Sequence, residues 1–166
     1  MTFTLSDDKW SAADEIQNVG FALQRDGIEG AVTVTVFLGQ VFAEPCTPDE
    51  TVELDRSASG LTGWLAAHPE LKAAEAIEAA IGGQPALQLD VTADVPPSCA
   101  EGPRIWLWVL PVVGDFHLDE NEAARFIAAD VGDTTMVVVI ETFDPGQQAA
   151  LLEAIQPVLD SMTIEP

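Results

Sequence analysis

Residues 124–143, ARFIAADVGDTTMVVVIETF, decide how this chain folds. Ala124 to Asp130 and Thr134 to Phe143 are apolar runs joined by Val131-Gly132-Asp133, and strand-length runs around a glycine turn read as a β-hairpin. Working outward, the same signal recurs. Val19 to Gln24 and Ala31 to Leu38 read as strands linked by Arg25-Asp26-Gly27-Ile28-Glu29-Gly30. In the second, Val32, Val34 and Val36 alternate with Thr33, Thr35 and Phe37, the period of two of an amphipathic strand. Residues 1–5 read as a further short strand, ended by Ser6-Asp7-Asp8-Lys9, with Trp10 at the turn.

Arg104 to Val113 reads as a strand covered on both faces, with Ile105, Leu107 and Val109 on one side and Trp106, Trp108 and Leu110 on the other. Gly114 to Glu122 reads as an acidic loop, and 44–53 and 93–103 as two longer loops. Ser57 or Ser59 caps a helix over Gly60 to His68, stopped by Pro69. Asp144-Pro145-Gly146-Gln147 opens a second helix with an N-cap aspartate, a first-turn proline and a glutamine in capping-box register. Pro157 inside that helix is expected to kink it or end it near Gln156. Residues 70–81 have two readings: alanine and glutamate favour helix, whereas Gly82-Gly83 followed by Ala86 to Val91 permits a hairpin. The expected fold is α+β: a largely antiparallel, twisted sheet of about six to eight strands with two helices packed on it, covering one face.

The chain has 166 residues, a length read as one globular domain spanning 1–166. Its net charge is −22, with 28 acidic residues dispersed along it. Such a field repels nucleic-acid backbones and anionic lipid headgroups. A solvated surface accounts for the acids, with salt adaptation, a basic partner or weak cation binding as alternatives. The longest unbroken apolar run, Ile105 to Leu110, is far short of the ~20 residues a membrane-spanning helix needs, so membrane insertion of this domain is not expected. The first eight residues have no basic or apolar leader character.

Cys46 and Cys99 are the only cysteines, and each sits in a polar, proline-marked loop. Two loop cysteines point to one disulfide and to an oxidising compartment; free structural thiols and a metal or redox pair are the alternatives. A bridge would stabilise the fold by roughly 4 kcal/mol through loop closure. The location that follows is extracytoplasmic, secreted or cell-surface, with a signal or anchor missing from this chain.

No catalytic or cofactor motif is present: there is no nucleophile elbow, phosphate loop, nicotinamide fingerprint or His-Glu-x-x-His. No cofactor is therefore expected. Asp115, His117, Asp119 and Glu120 crowd one segment and form a weak candidate for a hard cation, without the alternate ligands and central glycine of a calcium loop. His68 suits a helix C-terminus as a protonated cap. Trp106 and Trp108 alternate on one strand and so share a face; with Trp64 from the first helix they either pack in the core or line a shallow apolar pocket.

Several of these segments together resemble a family of small extracytoplasmic domains of high-GC Gram-positive bacteria. They are Val41-Phe42-Ala43-Glu44-Pro45-Cys46, the helix Leu61 to Pro69, the glycine hairpin Ile81 to Leu89, Cys99 before Arg104-Ile105-Trp106-Leu107-Trp108, and Glu141 to Gly146 before the closing helix. The resemblance implies a Cys46–Cys99 disulfide, a strand at 72–80 and a Mog1/PsbP-like sandwich, and it implies no known activity. The function expected is a non-catalytic accessory or sensor-type domain that binds an unidentified protein or a small apolar or cationic molecule. The alternatives are a hydrolase with a site near His117 and a salt-adapted cytoplasmic protein with free thiols.

Overall fold

Among the described residues, alternating apolar residues and glycine turns make twelve strands, and apolar stripes make two helices. A computed structural model describes residues 1–16, 20–96, 99, 102–110 and 114–164. In chain order the strands are β1 (Trp10–Ile16), β2 (Gly20–Arg25), β3 (Gly30–Phe37), β4 (Gln40–Phe42) and β5 (Thr51–Glu53). Helix α1 (Ala58–Ala67) follows, then β6 (Leu71–Ala73), β7 (Ile77–Ile81), β8 (Gln84–Ala93) and β9 (Arg104–Leu110). The chain continues with β10 (Gly114–Asp119), β11 (Ala123–Val131), β12 (Thr134–Thr142), a single 3-10 turn at Pro145–Gln147, and α2 (Gln148–Ser161).

Among the described residues the strands form two antiparallel sheets. The large sheet has eight strands in the order β1-β2-β3-β12-β11-β8-β6, with β7 also paired to β8; the small one has the order β10-β9-β4-β5. The hairpin of residues 124–143 is at the heart of the large sheet: β11 and β12 pair from Ala123↔Thr142 to Val131↔Thr134 around Gly132-Asp133. Because side chains alternate across a strand, this hairpin feeds two cores. Phe126, Ala128, Val137 and Val139 face a first core under α1 and the small sheet, while Ile127, Ala129, Val138 and Ile140 face a second core under α2. The helices therefore cover opposite faces of the sheet, not one. Each face presents a continuous apolar surface, and each needs its own cover.

Several expectations change at this level. Residues 1–5 form no strand beyond an isolated Thr2–Thr163 bridge; the first strand starts at Trp10, whose buried indole donates to Ser6 and stacks under Arg25 at 5.1 Å. Residues 70–81 are strands β6 and β7, not helix. Pairing of both to β8 overrides alanine propensity, and Gly82-Gly83 closes a two-residue turn with φ of 57° and 83°. The acidic segment 114–119 is strand β10, paired along β9; Phe116 and Leu118 are buried while Asp115 is exposed. Dense charge masked that alternation. The predicted strand ends 111–113 lie outside the described residues.

Ser57, not Ser59, caps α1, its hydroxyl accepting from Gly60 N–H at 3.0 Å. Asp144 caps the 3-10 turn that leads into α2, accepting from Gly146 N–H at 2.9 Å. Helix α2 runs through Pro157, which is exposed, so the carbonyl it leaves unbonded is on the water side. Among the described residues no helix is long and apolar enough to cross a membrane.

Candidate functional site

The two cysteines are joined. Cys46 and Cys99 form a disulfide with Cα atoms 4.8 Å apart, and no free cysteine remains. The bond ties the β4–β5 connection to the β8–β9 connection. Beside it, Pro45 C=O accepts from Trp106 N–H at 2.7 Å, and Cys99 packs on the first core.

The three tryptophans do not gather into one pocket. Strand β9 carries a bulge at Leu107: Trp108 opposes Phe116, and Trp106 opposes the next residue, His117. The extra residue switches faces, so Trp106 and Trp108 point to opposite sides of the small sheet. Trp108 is fully buried in the first core, stacked on Phe116 at 4.5 Å and edge-on to Phe126 at 5.5 Å. Trp106 is half-buried on the outside, against Phe42 and His117 and under the Arg104 guanidinium. Trp64, on α1, packs against the first core with its ring 5.1 Å from that of His68. His68 is buried and accepts from Glu70 N–H through Nδ1; burial lowers its pKa, so it is a neutral acceptor and not a protonated cap.

The acidic segment does gather around a cavity. Strand β12 directs Val137, Val139 and then Glu141 toward the same side, so its apolar row ends on a carboxylate at the open end of the layer between the sheets. A cavity of about 380 Å³ opens there. Its apolar wall is Leu110, Phe116 and Phe143, the last 53% exposed at the rim. Thr33 lies beside Glu141, and Asp115, His117, Asp119 and Glu122 complete the polar wall.

Glu122 is buried in the turn between β10 and β11, where one carboxylate oxygen accepts from Asp119 N–H at 2.8 Å. Burial raises its pKa, and the neighbouring Asp119 charge adds to the rise. Asp119 in turn is held by Arg104 at 3.2 Å. Glu141 is the most perturbed group: burial, then Glu122 and Asp119, push its pKa up to about 8. It is half-buried, next to the fully buried Val139 and Ile140. The four ion pairs of the described residues engage Asp7, Asp94, Asp119 and Asp90, and none engages Glu141. No side-chain hydrogen bond among the described residues reaches it either.

His117 is kept neutral by burial and by Arg104, and its buried Nδ1 meets no hydrogen-bond partner among the described residues. The pairing of base and nucleophile that a hydrolase needs is not assembled through that atom. Among the described residues no three His, Cys, Asp or Glu side chains converge to hold a metal ion. Asp115, His117 and Asp119 occupy alternate positions of an extended strand, which spaces their Cα atoms by about 7 Å, and Glu120 lies out in the exposed turn.

A larger depression of about 540 Å³ lies between the start of α1 and strands β7 and β8. Two exposed carboxylates line it, Glu78 and Asp130, and Asp130 is already committed, accepting from Ala58 N–H at 2.8 Å and from the Thr135 hydroxyl at 2.7 Å. The smaller cavity is the one whose carboxylate is withdrawn from water without a paired cation. Sequence reasoning found Asp115, His117 and Asp119 there but missed Glu141, Glu122, Thr33 and Phe143. The available signal was Glu141 itself, a lone acid at an inward position directly after Met136 to Ile140.

No protein-family profile matches the chain, and no curated protein does. Among solved structures, it is similar to cyanobacterial PsbP (CyanoP) from Synechocystis sp. PCC 6803, at 11% identity and a TM-score of 0.45, over 93% of this chain and 81% of that one. It is also similar to LpqN, involved in cell envelope biogenesis of Mycobacterium tuberculosis, at 17% identity and a TM-score of 0.48, over 99% of this chain and 84% of that one.

Proposed function

We propose that this chain is an extracytoplasmic binding domain whose ligand seat is the cleft at Glu141. The ligand class is a small organic cation with an apolar body. The observation that carries this reading is a half-buried carboxylate, unpaired by any cation among the described residues, lining an open cavity with an apolar rim. Such a seat matches the general form of small-molecule sites: apolar walls and a few convergent polar groups with shifted pKa values. Glu122, Asp119 and Asp115 make the surrounding potential negative, which favours cations and disfavours anions. The Cys46–Cys99 bond supports the location, since structural disulfides persist in oxidising compartments.

The test is a thermal-shift panel at pH 8 of small aromatic and aliphatic ammonium ions against carboxylates and phosphates of similar size. Aromatic ammonium ions raise the melting temperature, the anions do not, and Glu141→Ala removes the effect. A flat response to every cation overturns the reading.

A further inference from the structure

We infer that the Glu141 seat is a proton-exchange site: a cation enters only as the carboxylic acid that lines it gives up its proton to solvent. This rests on the binding function proposed above and adds its regulation.

The geometry supplies the coupling. Glu141 terminates the inward row of β12 and has no internal cation to neutralise it. The groups around it are mostly acidic. The β10–β11 turn brings Glu122, and Asp115, the neutral His117 and Asp119 line the rim from the outer face of β10. The neighbouring strand β3 offers only Thr33. Arg104 of β9 is paired with Asp119 at 3.2 Å. The Arg125–Asp90 pair projects from the other face of the large sheet, and α2 covers that same far face.

With no ligand, a second negative charge in this place is repelled by Glu122 and Asp119 and is poorly solvated, so the empty site holds Glu141 as the neutral acid at pH 7. A bound cation reverses both terms. The O–H bond of the acid breaks, the proton passes to water or buffer, and the carboxylate left behind pairs with the ligand's charge. No electron moves. Charge in the cleft is conserved through the exchange, one proton out for one cation in. Affinity then rises with pH about tenfold per unit until Glu141 is ionised without help, and is level above that. Acidification empties the site.

Benzyltrimethylammonium is a suitable probe because its charge does not titrate and its ring matches the Phe116 and Phe143 wall. Calorimetric titrations of the intact, disulfide-bonded protein at pH 7 in phosphate and in Tris, buffers of different ionisation enthalpy, count the protons released. About one proton leaves per cation bound, and the dissociation constant falls about tenfold per unit from pH 5 to 7. Glu141→Gln, close in shape, binds more weakly, with no proton release and little pH dependence. Binding to the wild-type protein without proton release overturns the exchange and leaves the binding function standing. Proton release that persists in Glu141→Gln overturns the assignment to Glu141. No binding by this probe or any other cation of the panel overturns both.

Discussion

Glu122 and Glu141 line one cleft at the open end of the β11–β12 hairpin, one just before β11 and the other near the end of β12, and the charge of the first raises the pKa of the second. Both carboxylates are desolvated, and neither has a cation of its own. This placement costs stability in the empty protein, which is the usual signature of a functional site.

That cost has a direction in pH. Glu141 has a folded pKa of about 8 against an ordinary 4.5, so between these values the folded state holds the proton more tightly. Stability therefore falls as pH rises through this window and is level above it, by a few kcal/mol in total. Glu122 acts in the same sense, whereas buried His68 and half-buried His117, with lowered pKa values, add stability as pH rises through the histidine range. The difference between wild type and Glu141→Gln isolates the one group. In urea unfolding, Glu141→Gln is more stable than wild type at pH 8, and the advantage shrinks steadily toward pH 5. An equal difference at both pH values would contradict the site.

The two neighbouring tryptophans of β9 separate sharply on mutation. Trp108→Ala empties the centre of the first core and costs about 3–5 kcal/mol. Trp106→Ala removes a half-buried ring from the outer face and costs about 1 kcal/mol. The Trp108 Nε1 has no hydrogen-bond partner among the described residues, so Trp108→Phe is tolerated better than Trp108→Ala. Denaturant midpoints of the three variants check the order; equal losses at 106 and 108 would place both rings on one face.

Removing the staple by Cys46→Ser with Cys99→Ser lowers stability by roughly 4 kcal/mol if loop closure dominates. The unmodified protein, unfolded without reductant, shows no reactive thiol. Two titratable thiols would refute the bond and remove the support for the proposed extracytoplasmic location.

The two glycines of the β7–β8 turn differ. Both have positive φ, but a Cβ at Gly82 would meet the Ile164 side chain at 2.5 Å, whereas one at Gly83 meets nothing within 4 Å. Gly83→Ala costs about 1 kcal/mol of backbone strain. Gly82→Ala costs that and the displacement of Ile164 from the second core. Melting temperatures of the pair give the comparison, and the larger drop belongs to Gly82→Ala.

The amino-acid sequence by itself determined what is local. The glycine turn at 131–133, the valine–threonine alternation of β3 and the Ser57 and Asp144 caps all act within a few residues of themselves. Those signals were enough for the α+β class and the antiparallel sheet, while the two loop cysteines pointed to a bond that only the fold, across 53 residues, brings together. Tertiary structure decided what depends on a partner strand. Residues 70–81 have helical composition and become strands because β8 offers both segments a ladder. Trp106 and Trp108 look like one face until pairing with β10 puts a bulge at Leu107 and turns them apart. Glu141 reads as one acid among 28, and its chemistry comes from where β12 ends against the small sheet. Alternation is written in the chain, but which side is inside, and which carboxylate is denied water, is fixed only when the two sheets close over one another.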